Sequence, residues 1–149
     1  MRRRDRDALQ AALAAEHAAI YGYGVAGAHL AGAARQAAQQ DWAAHQVARD
    51  ALEAALTSQG AQPVAAQDAY RLPFPVPDSA AAVSLAALLE NRVATAYLGL
   101  VALTDPRWRA WGARQVRASA LRATAWTGKT AAFPGLPAGA GAPRPAAAP

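Results

Sequence analysis

The chain contains no cysteine, which excludes disulfides, thiolate metal sites and a cysteine nucleophile. Valine and isoleucine are sparse beside 46 alanines, so strand formers are scarce and the strongest helix former dominates. No apolar run is clean enough to span a membrane, because the most apolar stretch, 79–103, carries Glu90, Asn91 and Arg92 at its middle. The opening MRRRDRD mixes bases with acids, and Glu16 and His17 break the apolar stretch that an export signal would need. A cytoplasmic protein is therefore expected. There is no glycine-rich phosphate loop, and no serine has a histidine and an acid at triad spacing. Acids are outnumbered, ten to fifteen Lys and Arg, for a net charge of +5. That balance permits acidic partners without requiring them.

What remains is helix. Apolar periodicity and stop signals predict four segments, at about 5–31, 34–59, 79–103 and 106–127. Asp5 and Asp7 suit the positive end of the first helix dipole, and Gly32 offers a stop. Gly22, Gly24 and Gly27 lie inside that helix, where each costs about 1 kcal/mol against Ala, so close packing against a neighbour is expected there. Gly60 and Pro63 close the second helix, whose inward stripe reads Trp42, His45, Arg49, Leu52 and Leu56. Asp78 or Ser79 caps the third, and Asp105 with Pro106 starts the fourth. Leu72-Pro73-Phe74-Pro75-Val76-Pro77 alternates apolar residues with prolines, as an extended strap does. Short first and last joints with a long middle connection predict two antiparallel helical hairpins joined by a Pro-rich crossover, the ferritin-like four-helix bundle connectivity. The domain is expected over 1–136, and the Ala, Gly and Pro run of 137–149 is expected to be disordered.

One feature of these helices needs an explanation. Leu9, Ala12, Leu13, Ile20 and Tyr23 form an apolar stripe with Glu16 at its centre, and Val83, Ala87, Ala94, Tyr97 and Val101 form another around Glu90. A buried charge must be paired, so a polar interior is expected. Its candidate members are Glu16, His45, Arg49, Glu90, Gln115 and Arg122. A di-iron or di-manganese bundle needs one Glu on each of two helices and Glu-x-x-His on each of the others. Glu16 and Glu90 fit the first requirement, but neither the second nor the fourth helix carries the motif. Arg49 and Arg122 can neutralise the acids instead, so a salt-bridged core without a cofactor is expected. Iron or manganese, were either to bind, would use Glu16, His45 and Glu90. His17 is expected to face a neighbouring helix or solvent, His29 shows no partner, and Asp50 and Glu53 fall off the inward stripe.

Two surfaces bear on partners. The fourth helix interleaves Arg107, Arg109, Arg114, Arg117 and Arg122 with Trp108, Trp111 and Trp126, a composition that can bind nucleic acid. The tryptophans fall within one arc, however, as packing residues do, and a solvated arginine face is expected. The third helix shows Leu85, Leu88, Leu89 and Leu103 away from its inward stripe, so a homodimer is expected to supply a second cover. With no catalytic set visible, a role in binding an unknown protein partner or small ligand is expected.

Glu16-His17 with Tyr21-Gly22-Tyr23-Gly24, His45 with Arg49-Asp50, Tyr70-Arg71-Leu72-Pro73-Phe74-Pro75-Val76, Leu89-Glu90 with Ala96-Tyr97, and Phe133-Pro134-Gly135-Leu136-Pro137 resemble a bacterial ferritin-like domain family of unknown function. The likeness spans about 8–137. It implies a ferritin-like bundle from high-GC bacteria with no assigned activity. The metal residues of the wider superfamily, which includes iron-storage, oxidase and oxygenase proteins, carry over to Glu16, Glu90 and His45, and both Glu-x-x-His positions depart from its pattern.

Overall fold

The computed structural model describes residues 1–131 and 134–136. Expectations for the 137–149 tail, and for Phe133 and Pro137 of the FPGLP segment, fall outside that range. Four helices form, α1 (Arg3–Ala28), α2 (Gly32–Ser58), α3 (Ser79–Val101) and α4 (Pro106–Thr127), with no strand among the described residues. The chain is thus all-helical. Local chemistry sets the ends. Asp78 accepts the Ala81 N–H at 2.9 Å and Asp105 accepts the Arg107 N–H at 2.9 Å, with Pro106 in the first turn of α4. Gly128 takes a left-handed φ of 68° and closes α4. Gly32, expected to stop α1, instead opens α2 at φ 53°, because α1 already ends where the His29 N–H turns back to the Ala26 carbonyl.

Two apolar clusters hold the helices together. In one, Leu9 and Leu13 of α1 meet Leu52 and Leu56 of α2, Val93, Tyr97 and Leu100 of α3, and Leu103, with Trp108 and Trp111 packed against them. In the other, Tyr23, Ala26 and Leu30 meet Ala38, Ala82, Leu85 and Leu89, with Trp126 alongside. Each fully buried leucine contributes about 1.5–3 kcal/mol. The start of α1 therefore lies against the ends of α2 and α3, and its end against their starts.

The segment between α2 and α3 follows α1. Gln10 donates to the Gln62 carbonyl at 2.6 Å and accepts the Val64 N–H at 2.8 Å. Further along, Tyr21 lies 5.5 Å from Tyr70, ring to ring. Leu72, Phe74 and Val76 then turn inward onto the second cluster while Pro73, Pro75 and Pro77 stay exposed. These inward residues and α1 cover α3 within the chain: Leu85, Leu89 and Leu103 are all buried. Leu88, the fourth leucine of that set, is half-buried.

Glycines divide by what surrounds them. A Cβ on Gly22 would stand 2.6 Å from a Leu89 methyl, and one on Gly112 would stand 2.7 Å from the Leu100 Cβ and 3.0 Å from the Tyr97 carbonyl. These two allow close helix approach. Nothing lies within 4 Å of a Cβ on Gly24 or Gly27, which corrects the expectation that all three α1 glycines serve packing.

Candidate functional site

Between the two apolar clusters lies the buried polar group. Glu16, His45 and Glu90 are each no more than 1% exposed. His45 stands between the acids, with Nδ1 2.6 Å from Glu16 Oε2 and Nε2 3.0 Å from Glu90 Oε1. Both ring nitrogens face only acceptors, so both carry protons and donate, and the ring is an imidazolium. Burial alone would pull the His45 pKa down, but the hydrogen bonds and charges of Glu16 and Glu90 push it up to about 9. Arg122 Nε donates to the same Glu90 oxygen at 2.9 Å. Two carboxylates, one imidazolium and one guanidinium thus neutralise one another without a further ion.

Two tyrosines complete the cage by exchange. Glu16 and Tyr23 lie seven residues apart on α1, as Glu90 and Tyr97 do on α3, about two turns in each case. Each hydroxyl donates to the acid of the other helix: Tyr23 to Glu90 at 2.6 Å and Tyr97 to Glu16 at 2.7 Å. Burial and the adjacent carboxylate raise both phenol pKa values, so both remain neutral donors. Burial would raise Glu90, yet the His45 hydrogen bond and charge, with Arg122 and Tyr23, hold it below the ordinary carboxylate value. Its three donors all converge on Oε1, and Oε2 is buried with no partner among the described residues. Replacing Tyr97 with Phe removes the donor to Glu16 Oε1 and is expected to cost about 1–3 kcal/mol, read as a lowered urea midpoint at unchanged slope.

Asp41 extends the network toward the surface. Its Oδ2 accepts the Trp126 indole N–H at 2.9 Å and lies 3.2 Å from the Tyr23 hydroxyl. Burial raises its pKa, partly offset by the Trp126 bond. Neither the Asp41 link nor the donor roles of the tyrosines follow from helical periodicity, which marks the tyrosines only as stripe residues. The repeated Glu-x6-Tyr spacing is the signal that carried them.

Residues 8–138 match a family model described as Domain of unknown function (DUF4439). The chain belongs to the DUF4439 family. Among solved structures it is similar to a conserved hypothetical protein, rv2844, from Mycobacterium tuberculosis, at 32% identity over 85% of this chain and 96% of that one, with a TM-score of 0.81. No curated protein matches it.

In this DUF4439 chain the expected polar core is corrected at two positions. Arg49 does not reach the acids: it pairs with Asp50 at 2.7 Å on the outside of α2. Gln115 is half-buried and makes no side-chain hydrogen bond among the described residues. Trp42, placed on the inward stripe, is 40% exposed, and Tyr23 packs on His45 at 5.2 Å. His17 is buried, its Nε2 3.1 Å from the Val64 carbonyl, and His29 Nδ1 lies 3.1 Å from the Val25 carbonyl. On α4, Arg122 turns inward while Arg109, Arg114 and Arg117 are exposed, and Trp108, Trp111 and Trp126 pack inward. Arg107 lies 6.0 Å from the centre of the Trp108 ring.

The same geometry tests the metal trio. Glu16, His45 and Glu90 are brought together, but the imidazolium lies between the carboxylates with a different acid at each nitrogen. One ion ligated by all three would need both acids on the side of a single deprotonated nitrogen. Arg122 already occupies Glu90 Oε1. The residues do not fit such a centre, and among the described residues no group of three His, Asp or Glu could hold a metal ion. Nor is any described helix long and apolar enough to cross a membrane.

Proposed function

We propose that this protein is a ferritin-like bundle acting as a cytoplasmic binding or scaffold protein, in which an ion network takes the position of a di-metal centre. One observation carries the reading: His45 donates from both ring nitrogens to Glu16 and Glu90. A protonated imidazole is no ligand, and both Glu16 oxygens and Glu90 Oε1 already accept from donors. The path of the 59–78 segment along α1 supports a ferritin-like crossover. Shared architecture does not carry iron chemistry with it. A cavity between the end of α1 and the start of α2 gives a binding role a place to act.

The test is metal content. Protein produced with iron and manganese in the medium is expected to carry neither in stoichiometric amount, and to leave the rate of ferrous iron oxidation in air unchanged. About two metals per chain, together with accelerated oxidation, would overturn the reading in favour of a divergent oxidoreductase.

A further inference from the structure

A cavity of about 270 Å³ opens between the end of α1 and the start of α2. On α2 its wall is built by Arg35, Ala38, Gln39 and Trp42, positions that share one helix face. On α1 its floor includes Gly24 and Gly27. Neither glycine is needed for protein packing, since a Cβ at either would meet nothing within 4 Å. Each nevertheless weakens the helix. Side chains there would instead project into the cavity, so the glycines keep it open.

The wall groups define what could fill that space. Trp42 leaves 40% of its surface exposed although it sits beside an apolar floor, and aromatic faces of this kind stack planar rings. Arg35 is exposed at the rim and forms no ion pair among the described residues. It is the one charged group of the lining, and its guanidinium geometry suits a carboxylate. Gln39 adds an amide between the two. The volume falls just below the usual span of ligand pockets, about 300–1,000 Å³, which admits one or two fused rings and excludes a nucleotide or a peptide helix. We propose that this cavity binds a small planar aromatic carboxylate, its ring over Gly24 and Gly27 against Trp42 and its carboxylate on Arg35. Tyr23 forms the inner wall, and its hydroxyl is held by Glu90, so the ion network stiffens the cavity from behind.

This deepens the binding reading and rests on it, but the two fail separately: metal content does not depend on the cavity, and ligand titration does not depend on metal. Naphthoate and indole acetate, titrated into isotope-labelled full-length protein, are expected to shift the Gly24 and Gly27 amides and the Trp42 indole signal saturably, with Kd on the order of 0.1–1 mM. Uncharged naphthamide is expected to bind about tenfold more weakly or worse. Arg35→Ala should weaken naphthoate binding about tenfold. Gly24→Leu with Gly27→Leu should abolish it while the circular dichroism melt stays equal or rises. Shifts that do not appear, that naphthamide reproduces equally, or that persist undiminished in Arg35→Ala would overturn the proposal. So would unweakened binding in the leucine variant.

Discussion

His45→Leu is expected to cost about 3–5 kcal/mol at neutral pH, a large part of the about 5–15 kcal/mol that holds a domain of this kind together. The reason lies in what stays behind. Glu16 and Glu90 would face an apolar side chain in a space that admits almost no water, and Arg122 alone could not neutralise both. Tyr23 and Tyr97 would still donate, yet a hydrogen bond offsets only part of the desolvation of a carboxylate. The variant should therefore recover stability as acid protonates the pair, opposite to the parent. Adding Glu16→Gln and Glu90→Gln should restore much of the loss at neutral pH. Urea melts of the three proteins measure this, and a His45→Leu midpoint within error of the parent would refute the imidazolium bridge.

The parent's own pH profile reads the same group. His45 has a folded pKa raised from 6.5 to about 9. Its contribution is thus fully present below about 6.5 and declines as pH rises through about 9. Glu90 has a folded pKa held below its ordinary 4.5. Its contribution is present above that value and declines as pH falls through the folded one. Stability from the network should therefore plateau between about 4.5 and 6.5 and fall toward alkaline pH, as thermal melts across that range would show.

Gly112→Ala is the second large effect expected, a loss of about 1–3 kcal/mol or more. A methyl group there would stand 3.0 Å from both the Tyr97 carbonyl and the Val101 nitrogen of α3. Backbone cannot swing aside as a side-chain tip can, so α4 would have to back away. Trp111 packs edge-on against Tyr97 at 5.8 Å, and the shift would disturb that contact as well. Gly24→Ala is the control: with open space around it, gained helix propensity should stabilise by about 0.5–1 kcal/mol. Equal effects at the two positions would refute the close α3–α4 approach.

The four helices and the inward acids were legible because long amphipathic segments repeat their period many times. Glu16, His45 and Glu90 each sit on that period, and Asp78, Asp105 and Pro106 mark helix starts by short-range chemistry alone. The errors gather on α2. Its buried residues are only Ala38, His45, Ala48, Leu52 and Leu56, a seam narrower than the stripe expected of a bundle helix, because α2 packs mainly on α1. Trp42 and Arg49 both lie to one side of that seam, at about 60° and 40° from His45, close enough to look inward and far enough to face water. Arg122 reaches Glu90 from α4, a partner that is not unique from sequence. Asp41 joined the network through Trp126, distant in the chain, which no local pattern reports. Gly24 and Gly27 differ from Gly22 only in their neighbours across space, which sequence does not report.

The crossed pairing of the tyrosines with the acids constrains how α1 and α3 can sit against each other. Sliding one helix past the other by a single turn, about 5.4 Å, would pull Tyr23 from Glu90 and Tyr97 from Glu16 in the same movement. Alanine-rich surfaces are nearly featureless and would tolerate several such offsets. The exchanged hydroxyls act as a key with two teeth, selecting one alignment from many of similar apolar contact.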